Sequence, residues 1–160
     1  MGVESKFIPP VVDTLVNVFH TMMQITPEVG EANIKHDSAA RGAVTGLMTM
    51  QSDQVQGSLS LSFTEPVLFD MAKRMLHTEI NEVDEIARDL AGEMTNIVVG
   101  GAKCVLEAQG YNFDMTLPQI FAGEHTIEHQ FDGETILIPI SLEAGDLFLE
   151  LNFTDHSVTQ

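Results

Sequence analysis

Three stretches of the chain place apolar residues three and four positions apart, the spacing of one face of an α-helix. They cover residues 9–23, residues 65–76 after the capping residue Thr64, and residues 81 to about 107. Pro at the start of the first two stretches is typical of a first helical turn. The sequence therefore predicts three helices, and the third is the longest.

Four other stretches alternate apolar with polar or small residues, which is the pattern of β-strands. Residues 44–50 and 55–63 are separated by a short polar link, and so are residues 136–142 and 147–153. Each pair is predicted to form an antiparallel hairpin. Within residues 55–63 the intervening residues are Gln and Ser, which indicates a strand with one wet face. Residues 113–121 give a weaker signal for extended structure.

The order of these elements is helix, strands, two helices, strands, which predicts an α+β fold with long helices packed on one antiparallel sheet. With 160 residues, 44% of them apolar, the chain has the size and composition of a single globular domain. We expect one domain over residues 1–160, with a core of about residues 8–153 and a weak tail at 154–160. Each half has a helix and a hairpin, a coarse repeat without a sequence period.

Charge and cysteine content narrow the class of function and the compartment. Seven Lys and Arg against 24 Asp and Glu give a net charge of −17, which repels nucleic acid and anionic membrane surfaces. The single Cys104 cannot form an internal disulfide, and neither a signal peptide nor a membrane span is visible. We expect a cytoplasmic protein in which Cys104 is a buried, inert thiol.

The longest predicted helix carries two different faces. One face holds apolar or small residues and is predicted to pack on the core: Ile86, Leu90, Met94, Ile97 and Gly101. A second face lies about 110° around the helix axis and is predicted to be exposed. It carries three polar residues and a glycine: Asp89, Glu93, Asn96 and Gly100.

Glu93 has no cation within reach along this helix, whereas Arg88 is placed to relieve the neighbouring acid Glu85. A cation brought by a partner would compensate Glu93. Gly92 and Gly100 flank the exposed face, and each costs a helix interior about 1 kcal/mol relative to Ala. Small residues at these two positions would let a docking protein approach. The alternative is an ordinary solvated acidic face in a strongly acidic protein.

The segment at residues 89–103, DLAGEMTNIVVGGAK, resembles the signature helix of the CheC/CheX family of chemotaxis phosphatases. The likeness extends to three further stretches: residues 40–46, residues 57–63 and Leu117-Pro118. About residues 8–153 are similar to the single-motif CheX branch. The CheC branch carries two copies of the motif, whereas the first helix here has Asp13 and Asn17 at a spacing of four, so one site is expected.

This resemblance implies hydrolysis of the aspartyl phosphate on a CheY-like response regulator, in chemotaxis or other two-component signalling. Asn96 matches the amide that orients the attacking water, and Glu93 matches the acid that pairs with the partner's active-site lysine. Asp89 matches an acidic or small polar position before the motif. The resemblance also implies that the phosphorylated partner supplies Mg²⁺, so the chain needs no cofactor or metal site of its own.

The resemblance to the CheX branch also implies a homodimer whose two chains are joined by strand pairing, so a homodimer is expected here. Pro139 interrupts a predicted strand, and such a residue lies at a sheet edge or turns its missing N–H away from a ladder partner. The region around Pro139 is therefore the predicted dimer seam.

Three other readings of the sequence remain. The exposed helix face could bind a receiver domain or another signalling protein without catalysis. Glu85, Asp89 and Glu93 could hold Ca²⁺, but three carboxylates along one helix face cannot surround that ion. His125 and His129 have a zinc-binding helical spacing, but no helix is predicted there, and a solvated loop or edge is favoured.

Overall fold

The computed structural model describes residues 6–53, 55–129 and 133–155. It confirms the three helices, which we label α1 (Ile8–Met23), α2 (Glu65–Leu76) and α3 (Glu85–Ala108). At the start of α3, the Asp84 carboxylate accepts a hydrogen bond from the Ala87 backbone N–H at 3.0 Å. This contact satisfies one of the N–H groups that have no partner within the helix, so Asp84 stabilises the start of α3.

Among the residues described, eight strands form one sheet, and every pair in it is antiparallel. The strands are β1 (Glu28–Val29), β2 (Asn33–Lys35), β3 (Val44–Gln51), β4 (Val55–Phe63), β5 (Asp114–Met115), β6 (Gln119–Ala122), β7 (Thr135–Ser141) and β8 (Asp146–Asp155). The predicted hairpins are β3–β4 and β7–β8, and the weak extended signal becomes β5 and β6. Only the two short strands β1 and β2 were not predicted. The α+β fold, three helices on one antiparallel sheet, is confirmed.

The two halves of the chain are interleaved in this sheet. Its strand order is β1-β7-β8-β4-β3-β5, with β2 also next to β7 and β6 also next to β3. The two hairpins meet at the centre, where β4 pairs with β8. Each half then lends its short strands to the other half's hairpin. The coarse repeat in the sequence is therefore a repeat of helix, two short strands and hairpin, with the short strands exchanged.

The core lies between the three helices and one face of the sheet. Helix α3 packs on β3, β4 and β6 and is flanked by α1 and α2. Its predicted core face is confirmed at Leu90 and Met94, which are buried, whereas Ile86, Ile97 and Gly101 are only half-buried. The buried face is broader than one stripe because neighbours cover α3 on three sides. It holds Ala87, Leu90, Ala91, Gly92, Met94, Thr95, Val98, Val99, Ala102 and Leu106.

Two glycines let α3 approach its neighbours closely. A Cβ atom on Gly46 of β3 would lie 2.2 Å from the Thr95 hydroxyl oxygen, which is far too short for two atoms that are not bonded to each other. A Cβ atom on Gly101 would lie 2.6 Å from Cγ2 of Thr14 on α1. Gly101 therefore admits a neighbouring helix, and Gly46 sets the distance between α3 and the sheet.

The face of the sheet opposite the helices differs from the prediction. The prediction that one face of β4 is exposed to solvent is wrong, because Ser58, Ser60 and Ser62 are each at most 1% exposed. Residues 123–129 lie over this face. His125 Nε2 is 2.7 Å from the Thr45 hydroxyl, and His129 Nδ1 is hydrogen-bonded to the Ser58 hydroxyl. The loop predicted for the two histidines is present, but the prediction that their side chains are solvated is wrong, since both rings bind side chains of the sheet.

Glu150 of β8 lies among these polar side chains, on the sheet face opposite the helices, and is fully buried. Lys35 Nζ donates to Glu150 Oε2 at 2.7 Å, and His129 Nε2 lies 3.0 Å from Glu150 Oε1. A buried carboxylate requires such partners, because leaving it unpaired costs several kcal/mol. The three residues join β2, β8 and the covering segment.

Two smaller predictions, for Cys104 and for Thr64, are corrected. Cys104 is exposed on α3, because it lies on the side of the helix opposite the buried Ala102 and Leu106. The Thr64 hydroxyl donates to the Asp146 backbone oxygen at 2.6 Å and does not cap α2. Of the two placements predicted for Pro139, the structure shows the second: Gly30 N–H donates to the Pro139 oxygen at 2.8 Å, so the Pro139 nitrogen also faces the break between β1 and β2, away from β8. Strand β8 continues to Asp155, and residues 156–160 of the predicted tail lie outside the described residues.

The Gly46 contact predicts a specific loss of stability. Gly46→Ala should lower the free energy of unfolding by about 1–3 kcal/mol, because the added methyl group must displace Thr95. Urea denaturation followed by circular dichroism measures this loss. The matched control is Gly100→Ala, where a Cβ atom meets nothing within 4 Å and helix propensity favours Ala. Equal losses for the two variants would contradict the close approach of α3 to β3.

Candidate functional site

A shallow groove of about 220 Å³ runs between α3 and the segment that joins β5 to β6. It brings together residues that are distant in sequence: Arg88, Asp89, Gly92, Glu93, Asn96, Leu117, Pro118 and Ile120. Four of the five site residues predicted from the sequence line this groove, and Gly100 does not. One wall is therefore the polar face of α3, and the other is a short apolar segment.

Glu93 and Asn96 are exposed on α3, while Met94 and Thr95 between them are fully buried. Residues three apart on a helix have Cβ atoms about 5–6 Å apart, so the carboxylate and the amide can act on one target. Across the described stretches, neither side chain has a hydrogen bond or an ion pair within the chain. The helix backbone thus fixes where each side chain begins, while the carboxylate and the amide remain available to a partner.

Arg88 and Asp89 extend this face toward the start of α3, and both are exposed. The predicted pairing of Arg88 with Glu85 is not observed in the described part of the chain, where Arg88 has no ion pair. Asp84, also within reach of Arg88 in sequence, caps α3. The guanidinium of Arg88 therefore remains available at the groove, which the sequence analysis missed because helical spacing favoured an internal pair.

The two flanking glycines have different surroundings. Gly92 is buried, and a Cβ atom on it would lie 2.9 Å from Ile120 Cδ1, so its space admits β6. Gly100 is half-buried, and a Cβ atom there would meet nothing within 4 Å. The flank at Gly100 is open as expected, whereas Gly92 forms the base of the groove. A role for either in partner binding stays a prediction.

The second wall of the groove consists of Leu117, Pro118 and Ile120. Leu117 is 85% exposed, while Pro118 and Ile120 are half-buried. The sequence analysis included Leu117 and Pro118 only as part of a family resemblance and did not find Ile120. A leucine before a proline, between two short extended segments, was the available signal.

Other parts of the described surface offer less. A larger cleft of about 530 Å³ lies beside α2, lined by residues such as Phe69, Lys73 and Ile80, but it contains none of the predicted site residues. Residues 6–53, 55–129 and 133–155 contain no cluster of three side chains suited to a metal ion. Within these same ranges, no helix has the length and apolar character needed to span a bilayer.

Comparison with known proteins identifies the family. The family model described as chemotaxis phosphatase CheX matches residues 44–141, which include the β3–β4 hairpin, all of α3 and strand β7. This match covers more than half of the chain. The chain therefore belongs to the CheX family of chemotaxis phosphatases, as the signature helix indicated.

Relatives with solved structures or curated functions match more than nine-tenths of the chain. A CheC-like superfamily protein from Shewanella sp. PV-4 is 41% identical, with a TM-score of 0.87 over 96% of this chain and 99% of that chain. The CheY-P phosphatase CheX of Thermotoga maritima is 23% identical over 91% of this chain and 93% of its own length. A CheX–CheY–BeF₃–Mg²⁺ complex from Borrelia burgdorferi matches at 21% identity and a TM-score of 0.76, over 93% of this chain and 98% of that chain.

Proposed function

We propose that this chain is a phosphatase that accelerates hydrolysis of the aspartyl phosphate on a CheY-like response regulator, acting in the cytoplasm in chemotaxis signalling. The observation that carries the proposal is the pair of exposed side chains Glu93 and Asn96, which have no partner among the described residues, on a rigid helix of a CheX-family protein. The activity of the Thermotoga maritima relative, a CheY-P phosphatase, supports the same conclusion.

Asn96 is proposed to orient the attacking water. Its carboxamide oxygen can accept a hydrogen bond from the water while its NH₂ group donates to a second group. The water oxygen then forms a bond to phosphorus, and the bond from phosphorus to the aspartyl oxygen breaks. The products are inorganic phosphate and the free aspartate. Such a reaction depends on positioning more than on a strong base, so a neutral amide is sufficient.

Glu93 is proposed to dock the partner by pairing with a lysine beside its phosphorylated aspartate. Because the side chain has no cation of its own in the described chain, a partner's ammonium group would compensate it. Mg²⁺ is expected to arrive with the phosphorylated partner. The CheX–CheY complex from Borrelia burgdorferi, which contains Mg²⁺ and BeF₃, supports this division of roles.

A homodimer is also proposed. Pro139 lies inside the sheet, so the free edge on that side is formed by β1 and β2, where Val29 and Ile34 are each 42% exposed. Strand pairing through this edge would cover both side chains. Size-exclusion chromatography with light scattering at micromolar concentration should give the mass of two chains, and the mass of one chain would contradict the dimer.

The role of Asn96 predicts a loss of rate without a loss of binding. Asn96→Ala should reduce the acceleration of dephosphorylation by at least about 10²-fold, because a misplaced nucleophile loses about that much. The measurement follows phosphate release from a CheY receiver phosphorylated by a small-molecule donor. Binding to the same receiver activated with BeF₃⁻ and Mg²⁺ should change by less than about threefold, since the amide contributes one contact among many.

The control for this experiment is Asn17→Ala, which removes an exposed amide from α1. It should keep the wild-type rate, because a single site is proposed. Equal rates for wild type and Asn96→Ala would contradict the proposed role of the amide. A wild-type chain that binds activated receivers but accelerates none would instead be a non-catalytic binding module.

The role of Glu93 predicts a change in affinity that depends on salt. Glu93→Gln should weaken binding to the BeF₃⁻-activated receiver by about tenfold, or about 1.4 kcal/mol, and should reduce the effect of added salt. Titrations at low and at physiological ionic strength measure both effects. Glu85→Gln, on the same helix but outside the groove, is the matched control. If both variants lose the same affinity, general acidity and not a specific ion pair governs docking.

A further inference from the structure

Leu117 has an unusual environment for a leucine. It is 85% exposed, whereas the exposed fractions of the other large apolar side chains on the described surface are at most 49%. It also lines the groove that contains Glu93 and Asn96. Scattered exposed leucines are common on protein surfaces, so the exposure by itself indicates little. Its position and its rigid attachment are more informative.

The backbone on both sides of Leu117 is held by β3. The Thr116 N–H donates to the Thr49 oxygen at 3.1 Å, and the Thr116 hydroxyl oxygen accepts from the Thr49 N–H at 3.0 Å. After Pro118, strand β6 pairs with β3 from Gln119 onward. Pro118 also restricts the backbone of the preceding residue to extended conformations. The leucine is thus presented by a fixed segment, which reduces the entropy lost when a partner buries it.

The surroundings of Leu117 indicate what would cover it. Across the groove lie the carboxylates of Asp89 and Glu93 and the amide of Asn96. Beside it, Pro118 and the half-buried Ile120 extend the apolar wall. A protein that brings its phosphorylated aspartate to Asn96 must lie over this groove, and it would then bury Leu117. The polar wall fits the charged centre of that protein, and the apolar wall fits an apolar patch next to it.

We propose that Leu117 is the apolar anchor that holds the receiver domain over Asn96, by inserting into an apolar depression beside the receiver's phosphorylated aspartate. The proposal rests on the proposed function and names a determinant of affinity for that same site. Leu117 has no polar group to offer to the reacting atoms. It therefore sets how tightly the receiver binds and leaves the chemical step to the α3 side chains.

The test compares Leu117→Ala with wild type in two measurements. Titration with a CheY receiver activated by BeF₃⁻ and Mg²⁺ should give a Kd that is about ten- to a hundredfold higher for the variant, as expected for losing a buried leucine side chain. With the phosphorylated receiver, KM should rise by a similar factor where binding precedes slow chemistry, while kcat stays within about twofold. Leu117→Met, which keeps an apolar side chain of similar volume, should restore most of the affinity.

Leu76→Ala is the matched control, because Leu76 is 49% exposed at the end of α2 and does not line the groove. It should bind like wild type. A Kd for Leu117→Ala within twofold of wild type, or a loss of kcat with unchanged KM, would overturn the anchor while leaving the phosphatase function intact. A wild-type chain that neither binds the activated receiver nor accelerates its dephosphorylation would overturn the proposed function and the anchor together.

Discussion

The close packing of α3 on β3 is the constraint on which the rest of the structure depends. Thr95 is fully buried over Gly46, and its hydroxyl donates to the Ala91 oxygen at 2.7 Å, so the contact leaves no unsatisfied polar group on that side chain. At this distance β6 can also reach the helix, where Ile120 occupies the space beside Gly92. The groove exists because both approaches occur together. A helix lying farther from the sheet would leave the acidic face without its apolar wall.

The two faces of the sheet are connected through one piece of chain. Strand β6 forms part of the groove on the helical side, and the residues that follow it, 123–129, cover the polar side. There His129 reaches Glu150, which also binds Lys35. Because a buried carboxylate favours the arrangement in which both partners reach it, this contact also limits where β6 can lie. The position of the groove wall is thus determined in part from the opposite face.

Strong periodicity is what made much of this molecule predictable. The α3 spacing was sufficient to place Asp89, Glu93 and Asn96 on one exposed face, because a long helix fixes relative directions whatever it packs on. Contacts between distant segments could not be found in the same way. Alternation in β4 showed that its two faces differ, but not that His125 and His129 would cover the polar one. Gly92 was expected to make room for a partner because nothing in the sequence indicates that Ile120 fills that space. Strands β1 and β2 are too short to carry a pattern.

The pairing of the two hairpins at the centre of the sheet has a consequence for how the protein is made. Phe63 pairs with Leu147 and Gly57 with Phe153, so β4 finds its central neighbour only after almost all of the described chain has been synthesised. Such distant pairings slow folding, because long loops must close before any contact rewards them. A nascent chain that has completed α3 contains β3 and β4 but still lacks their neighbours β6 and β8. An unfinished copy that ends after α3 therefore lacks Leu117, Pro118 and Ile120, so the groove with both of its walls exists only once the chain beyond α3 has been made and folded.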